Sequence, residues 1–390
     1  MDRLDNTIRP YAWGSTTAIA HLTGAQPTGE PQAEMWLGAH PGAPSRTPRG
    51  PLDQVIAADP EHELGPAAVA RFGPRLPFLL KLLAAAAPLS LQVHPSLAQA
   101  EEGYADEERR GVPADAPERV YKDANHKPEL ICALTPFEGL CGFRPPADAA
   151  ALLGGLAVDS LKPYADILGA HPEDAALREV LTAVLTADPD AMRSTVHGAA
   201  AACTRLAAAG GPGARAYAAY ADLAHHYPGD PGVIAAMLLN HVTLQPGEAL
   251  YLGAGVPHAY LRGLGVEIMA NSDNVVRSGL TPKHIDVPEL LRIVRFEATD
   301  PGVLRPEASP EGEEVYATPA DDFRLSRHVL APGAAPHELP AGRPQILLCT
   351  DGAPTVSGTT LAPGESLFVP ASETAQLTGN GTLFRATVVA

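Results

Sequence analysis

Only four cysteines occur in 390 residues, Cys132, Cys141, Cys203 and Cys349, and none belongs to a Cys-x-x-Cys pair. That excludes a disulfide framework and a thiolate zinc site, so any metal here needs nitrogen and oxygen ligands. Apolar runs of about 18 residues or more are missing, and so is a basic-then-apolar leader. The expectation is a cytoplasmic protein with no membrane partner. Positive charge is also scarce: 28 Lys and Arg face 45 Asp and Glu, for a formal net charge of −17. With no basic run to offset it locally, such a chain repels polyanions, so no nucleic-acid partner is expected. Lysine is the rarest cation, confined to Lys81, Lys122, Lys127, Lys162 and Lys283. Arginine serves wherever a generic surface cation suffices. All but Lys162 stand in or beside polar clusters. A lysine there is either an anion-binding point charge or, when partly desolvated, a base, a role closed to arginine.

What is present is a chain long enough, at 45% hydrophobic residues, to bury a large core and form two or three domains. Up to about residue 145, short apolar runs broken by Gly and Pro predict mostly β structure with a helix or two. From 146 to 239 the composition turns alanine-rich, and Leu177, Val180, Leu181, Val184 and Leu185 recur at helical spacing. Asp188-Pro189 and Asp230-Pro231 are helix starts, and Gly210-Gly211-Pro212-Gly213 is a break, so four to six short helices are expected there. After Asn240 the β pattern returns, with a helical interruption at 286–293.

Leu244-Gln-Pro-Gly-Glu-Ala-Leu-Tyr-Leu252 is echoed by Leu361-Ala-Pro-Gly-Glu-Ser-Leu-Phe-Val369. A Pro-Gly turn feeding an alternating strand that leads to a metal histidine is the pattern of cupins, the double-sheet jelly-roll barrels. The expected fold is therefore mainly β with a helical insertion: a catalytic cupin barrel from 1–145 and 240–300, a helical domain at 146–239, and a C-terminal degenerate barrel at 301–390. His258 lies twelve residues beyond Pro246, and the same offset from Pro363 lands on Ala375. The second barrel is thus expected to lack a metal and to be structural.

In Ser90-Leu-Gln-Val-His94 a strand puts Ser90, Gln92 and His94 on one face and Leu91 and Val93 on the other. Gln92 and His94, joined by Glu129 and His258, supply two imidazole nitrogens and two oxygens. That set suits zinc, manganese or iron. Its summed charge of −1 leaves a divalent ion with net positive charge for a developing oxyanion.

The segments LSLQVHPS (89–96), YKDANHKPEL (121–130) and GVPHAYLRGLGVEIMANSDNVVRSGLTPKHID (255–286) resemble the signature segments of type I mannose-6-phosphate isomerases. EMWLGAHPGAPS (34–45) and Tyr11-Ala-Trp-Gly14 are similar to that family too, and the likeness runs the length of the chain. The resemblance implies one zinc per chain, held by Gln92, His94, Glu129 and His258, and interconversion of mannose 6-phosphate and fructose 6-phosphate. Such an exchange moves a proton between C1 and C2 through a cis-enediol. It needs a base, a stabiliser for the enediolate and a grip on the phosphate. Arg277 resembles the family's catalytic arginine. Lys127 is the first candidate for the proton carrier, with Asp273 and then Glu267 as rivals, and His126 as an aid to ring opening. Ser90, Lys81 and Lys283 are candidates for the phosphate, and Tyr260 and Trp13 for the sugar. The chain is expected to act as a monomer. Two other readings remain open from the residues, an Fe(II) cupin oxygenase and a non-catalytic sugar-phosphate sensor.

Overall fold

In the computed structural model, which describes residues 1–308 and 312–389, the strand His258–Ala270 organises the leading half. Its first residues pair antiparallel with Phe137–Phe143 and, at His258, with Gln92; from Gly263 onward it pairs with Phe78–Ala85 and Glu129–Ala133. One strand shared by two sheets in this way closes them into a barrel. The crossing point requires glycine: Gly263 has φ 133°, and a Cβ there would lie 2.9 Å from the Cα of Phe137. Inside the barrel, Leu83, Ile131, Phe137, Leu250 and Tyr260 pack together.

The alternation expected at 90–94 is present. Leu91 and Val93 are buried in the core that the barrel shares with the helices, whereas Gln92 and Ser90 face the barrel cavity.

Helices fill the chain from Pro146–Gly155 to Gly232–Ala236, and Leu177, Val180, Leu181 and Val184 form part of their common core. Asp188 accepts the N–H groups of Asp190 and Ala191 and so starts the longest of them, Pro189–Ala209. Gly210 (φ 74°) and Gly213 (φ 84°) separate it from the next. Asp286 likewise caps Val287–Ile293 through the N–H of Glu289. The first 145 residues hold more helix than expected: Ala18–Thr23, Leu52–Ala58, Pro60–Leu64, Pro66–Phe72 and Leu97–Arg109. The last is set by a reciprocal capping box between Ser96 and Gln99, a signal hidden by the strand-like run before it. Among the described residues no helix is long and apolar enough to cross a membrane.

Among the described residues the trailing sheet has nine strands, centred on Gln345–Val356 and Ala375–Thr387. Its edge is closed by the start of the chain, Asp2 pairing with Phe368 and Leu4 with Ser366. This corrects the division that placed everything from residue 1 in the leading barrel: the first strand belongs to the trailing sheet. One face of that sheet, with Ile346, Leu348, Phe368 and Phe384, packs on Leu80 and Val266 of the barrel. The other, with Leu347, Leu367 and Leu383, encloses a core of its own.

The internal echo is structural. In each copy the glycine of the Pro-Gly turn has positive φ (87° at Gly247, 86° at Gly364), and the following glutamate accepts the N–H three residues back, Glu248 from Gln245 and Glu365 from Ala362. In each copy, too, the residue twelve beyond the proline opens a 13-residue strand, His258 in the first and Ala375 in the second.

Candidate active site

Two histidines are aimed at one point by backbone carbonyls. Nδ1 of His94 lies 2.9 Å from the carbonyl oxygen of Asn274, and Nδ1 of His258 lies 2.9 Å from that of Val256. A carbonyl only accepts, so each Nδ1 carries the proton and each Nε2 presents a lone pair. Both lone pairs face the carboxylate of Glu129, with His94 Nε2 3.3 Å from Oε1 and His258 Nε2 3.4 Å from Oε2. The Gln92 amide nitrogen is 3.4 Å from His258 Nε2, and a half-turn of the amide brings its oxygen there instead.

Acceptors facing acceptors in a buried setting repel one another unless a cation lies between them. His94 Nε2 and Glu129 Oε2 have no hydrogen-bond partner, an arrangement that costs stability in the protein alone. The ligand atoms of His94, Glu129 and His258 lie within 4.8 Å of one another. Burial pushes His94 down to about 4, so its imidazole is neutral at physiological pH. Burial alone would raise Glu129, and the positive field of Lys127 opposes it and favours the ionised carboxylate. Neutral imidazoles oriented by carbonyls, with a carboxylate and an amide oxygen, fit a zinc ion.

Next to this centre opens a cavity of about 340 Å³. On its floor Lys81 Nζ stands 2.9 Å from Glu267 Oε2 and 3.6 Å from Glu34 Oε1, with the ring of Trp36 5.6 Å away. The pairing Lys81–Glu267 is dictated by strand register, since the two are direct cross-strand neighbours. Burial opposes the Lys81 charge, but Glu267, Glu34 and Glu129 outweigh it and raise the ammonium's pKa. Glu267 is raised above the usual carboxylate value, first by burial and then, against the pull of Lys81, by the fields of Glu129 and Glu34. The Tyr260 hydroxyl is buried beside these acids without a hydrogen-bond partner. Lys127 Nζ is 3.3 Å from Glu129 Oε1.

The mouth is electropositive. Arg277, paired in register opposite Gln92, and Lys283 at the rim both line the cavity. Among the described residues neither has a carboxylate within 4 Å; partial burial lowers both, and the field of Arg277 lowers Lys283 further. Ser90 and Trp13 complete the walls, Trp13 stacked on Tyr11 at 5.8 Å.

The description "phosphomannose isomerase type I, catalytic domain" matches residues 1–146. The mannose-6-phosphate isomerase of Escherichia coli (strain K12) is 40% identical over 397 residues, covering 99% of each chain. That of Homo sapiens is 33% identical over 413 residues, covering 96% of this chain and 94% of its own. The chain belongs to the type I phosphomannose isomerase family. Solved structures agree: the apo form of mannose 6-phosphate isomerase from Salmonella typhimurium superposes with a TM-score of 0.91 at 39% identity, covering 100% of this chain and 99% of that one. A holo, zinc-bound mannose 6-phosphate isomerase gives 0.90 at 38%, with the same coverage. The fold is the family's cupin architecture, mainly β with helical parts, and the protein is an isomerase; the oxygenase and sensor readings gain no support.

Two candidates for catalysis stand outside this phosphomannose isomerase cavity. His126 turns away and places Nε2 2.9 Å from Asp322 Oδ2 of the trailing unit, lining a different cleft. Asp273 is exposed and faces His40 Nε2 at 3.5 Å, a contact that lowers its pKa and weakens it as a base. His126 neighbours the cavity residue Lys127 in sequence, but side-chain direction at loop positions follows tertiary partners rather than spacing.

Two contributors were missed. Glu34 shares Lys81 with Glu267, and Asn274 is a fully buried hub. The Asn274 amide oxygen accepts the N–H groups of Lys122 and Asp123, and its nitrogen donates to the carbonyls of Asp123 and Asn125, which ties the loop before Lys127 and Glu129 to the carbonyl that orients His94. A signal for Glu34 existed: Glu34 and Lys81 are each the lone charge of an apolar strand, and Glu267 is the one carboxylate of the third strand beside them.

Proposed function

We propose that this cavity interconverts mannose 6-phosphate and fructose 6-phosphate, with the phosphate at the Arg277–Lys283 mouth and the sugar's C1 and C2 at the Glu267 floor. The reading is carried by one observation, a buried carboxylate of raised pKa on the same cavity as a metal-ligand cluster and an uncompensated cationic rim. Gln92, His94, Glu129 and His258 hold the zinc, which when bound supplies a positive charge that polarises the sugar's carbonyl and hydroxyl oxygens.

Glu267 takes the proton from C2 of the open-chain aldose and returns it to C1 of the cis-enediol, while the hydroxyl proton moves between O2 and O1. Its raised pKa brings its basicity nearer to neutrality, where proton transfer in both directions is efficient. Lys81, kept protonated by its two carboxylates, fixes Glu267 in place. Lys127 is engaged with Glu129, so its role is to secure that ligand and add positive charge beside the enediolate, not to carry the proton. Arg277 spans from the phosphate towards the developing oxyanion and stabilises it with charged hydrogen bonds. Ser90 donates at the phosphate, and Tyr260 and Trp13 border the sugar. We take the monomer as the working unit, each group of this reading having a place on the one chain. Four unpaired, buried cysteines fit a reducing compartment such as the cytoplasm.

The test is purified protein with mannose 6-phosphate in a coupled assay, beside Glu267→Gln. The substitution keeps shape and removes the base, so kcat falls by roughly a hundredfold or more while zinc is retained. The acid limb of the wild-type kcat/KM profile should lie above the ordinary glutamate value of about 4.3, because Glu267 must be ionised to accept the proton and its pKa is raised. If Glu267→Gln keeps wild-type kcat and Lys127→Ala loses it, the proton carrier is Lys127.

A further inference from the structure

The helical region touches the cavity through Tyr227, whose hydroxyl donates to the carbonyl of Pro88 at 2.7 Å. Three residues further on, Asp230 reaches the opposite wall. Its Oδ1 accepts the N–H of Leu280 at 3.1 Å and that of Gly232 at 2.7 Å, and its Oδ2 accepts the N–H of Thr281 at 3.1 Å. One carboxylate thus joins the start of the helix Gly232–Ala236 to a turn that follows the strand carrying Arg277.

That turn cannot hold itself. Leu280 has φ 55°, a left-handed backbone that a bulky side chain adopts only when its surroundings impose it. In this conformation the N–H groups of residues 280 and 281 converge on one side, where the two carboxylate oxygens take one each. The fit is backbone against backbone: a Cβ on Gly232 would meet Leu280 N at 2.4 Å and Gly279 Cα at 2.7 Å. The placement is then relayed, since Thr281 Oγ1 accepts the N–H of Lys283 at 3.1 Å.

We infer that Asp230 is a positioning residue for the phosphate end of the cavity, its carboxylate fixing the Leu280–Thr281 turn and, through it, Lys283 and Arg277. This rests on the reading above that these two cations hold the phosphate. Asp230, on the helical insertion, thereby contributes to substrate recognition without lining the cavity itself.

Asp230→Ala, Asp230→Asn, Lys283→Ala and the double variant Asp230→Ala/Lys283→Ala are compared for kcat and KM with mannose 6-phosphate, for Ki of inorganic phosphate as competitor, for zinc content and for Tm. In Asp230→Ala, KM and the phosphate Ki rise together by about tenfold, kcat stays within about threefold, and zinc is kept. Asp230→Asn retains one acceptor oxygen and falls between; being isosteric, it carries the same readout if the alanine variant does not fold. Part of the Asp230→Ala loss runs through Lys283 and is already present in Lys283→Ala, so the double variant weakens phosphate binding by less than the product of the two single effects. A phosphate Ki unchanged in the Asp230 variants, whatever happens to Tm, overturns the inference while Lys283→Ala still weakens phosphate. A Ki unchanged in Lys283→Ala and in Arg277→Ala instead overturns the phosphate reading, and the inference with it.

Discussion

Glu129→Ala leaves the protein without its zinc and lowers kcat/KM for mannose 6-phosphate by roughly a thousandfold or more. Glu129 is the sole carboxylate of the cluster and the group both imidazole lone pairs face. Without it, the remaining ligands are two neutral imidazoles and a neutral amide, which bind a divalent ion far more weakly. Lys127, which pairs with Glu129 at 3.3 Å, is at the same time left as an uncompensated cation beside the metal position. Loss of affinity and added repulsion act in the same direction. Metal analysis of the purified variant, read together with the coupled assay, checks this. Full zinc content with activity within about tenfold of wild type would mean that the cation is held elsewhere. Asp273→Ala is the matched control: its side chain is exposed and outside the cavity, so zinc content and kcat should stay close to wild type.

Arg277→Ala has the second largest effect, a fall in kcat/KM of about a hundredfold to a thousandfold with zinc retained. The physical basis is the isolation of the guanidinium. It is half-buried, has no carboxylate partner among the described residues, and has Lys283 for a neighbour. A cation held in this way opposes folding slightly and is stabilised when an anion arrives, so the variant's unliganded Tm should equal or exceed that of wild type. The rise in Tm that wild type shows on adding substrate or inorganic phosphate should shrink. A variant with lowered Tm and an undiminished ligand-induced rise would make Arg277 a structural residue.

How much of this could be read from the sequence depended on the range of the deciding contact. Leu91-Gln92-Val93-His94 announced its two faces because strand alternation is local, and Asp188, Asp286 and the two Pro-Gly turns announced helix starts and strand entries for the same reason. Gathering Gln92, His94, Glu129 and His258 into one set drew on motif resemblance, and the cluster geometry followed once the strand His258–Ala270 paired with all its neighbours. His126 was unreadable because its direction is decided by Asp322, nearly two hundred residues away. The trio of Glu34, Lys81 and Glu267 needed the register of three strands, and the pairing of Asp2–Leu4 with Ser366–Val369 joins the two ends of the chain. Asp230 looked like an ordinary helix start. Its second task, holding the Leu280–Thr281 turn, appears only when the helices are docked on the barrel.

The claim on which everything else depends is that one divalent ion, bound by four side chains of this cavity, is required for turnover. The direct measurement is to strip the protein with a chelator until its metal content is near zero, confirm by circular dichroism that it is still folded, and titrate zinc back while following mannose 6-phosphate isomerisation. The account predicts an inactive stripped protein whose activity returns in proportion to added zinc and levels off at one ion per chain. Full activity in the folded, metal-free protein would contradict it.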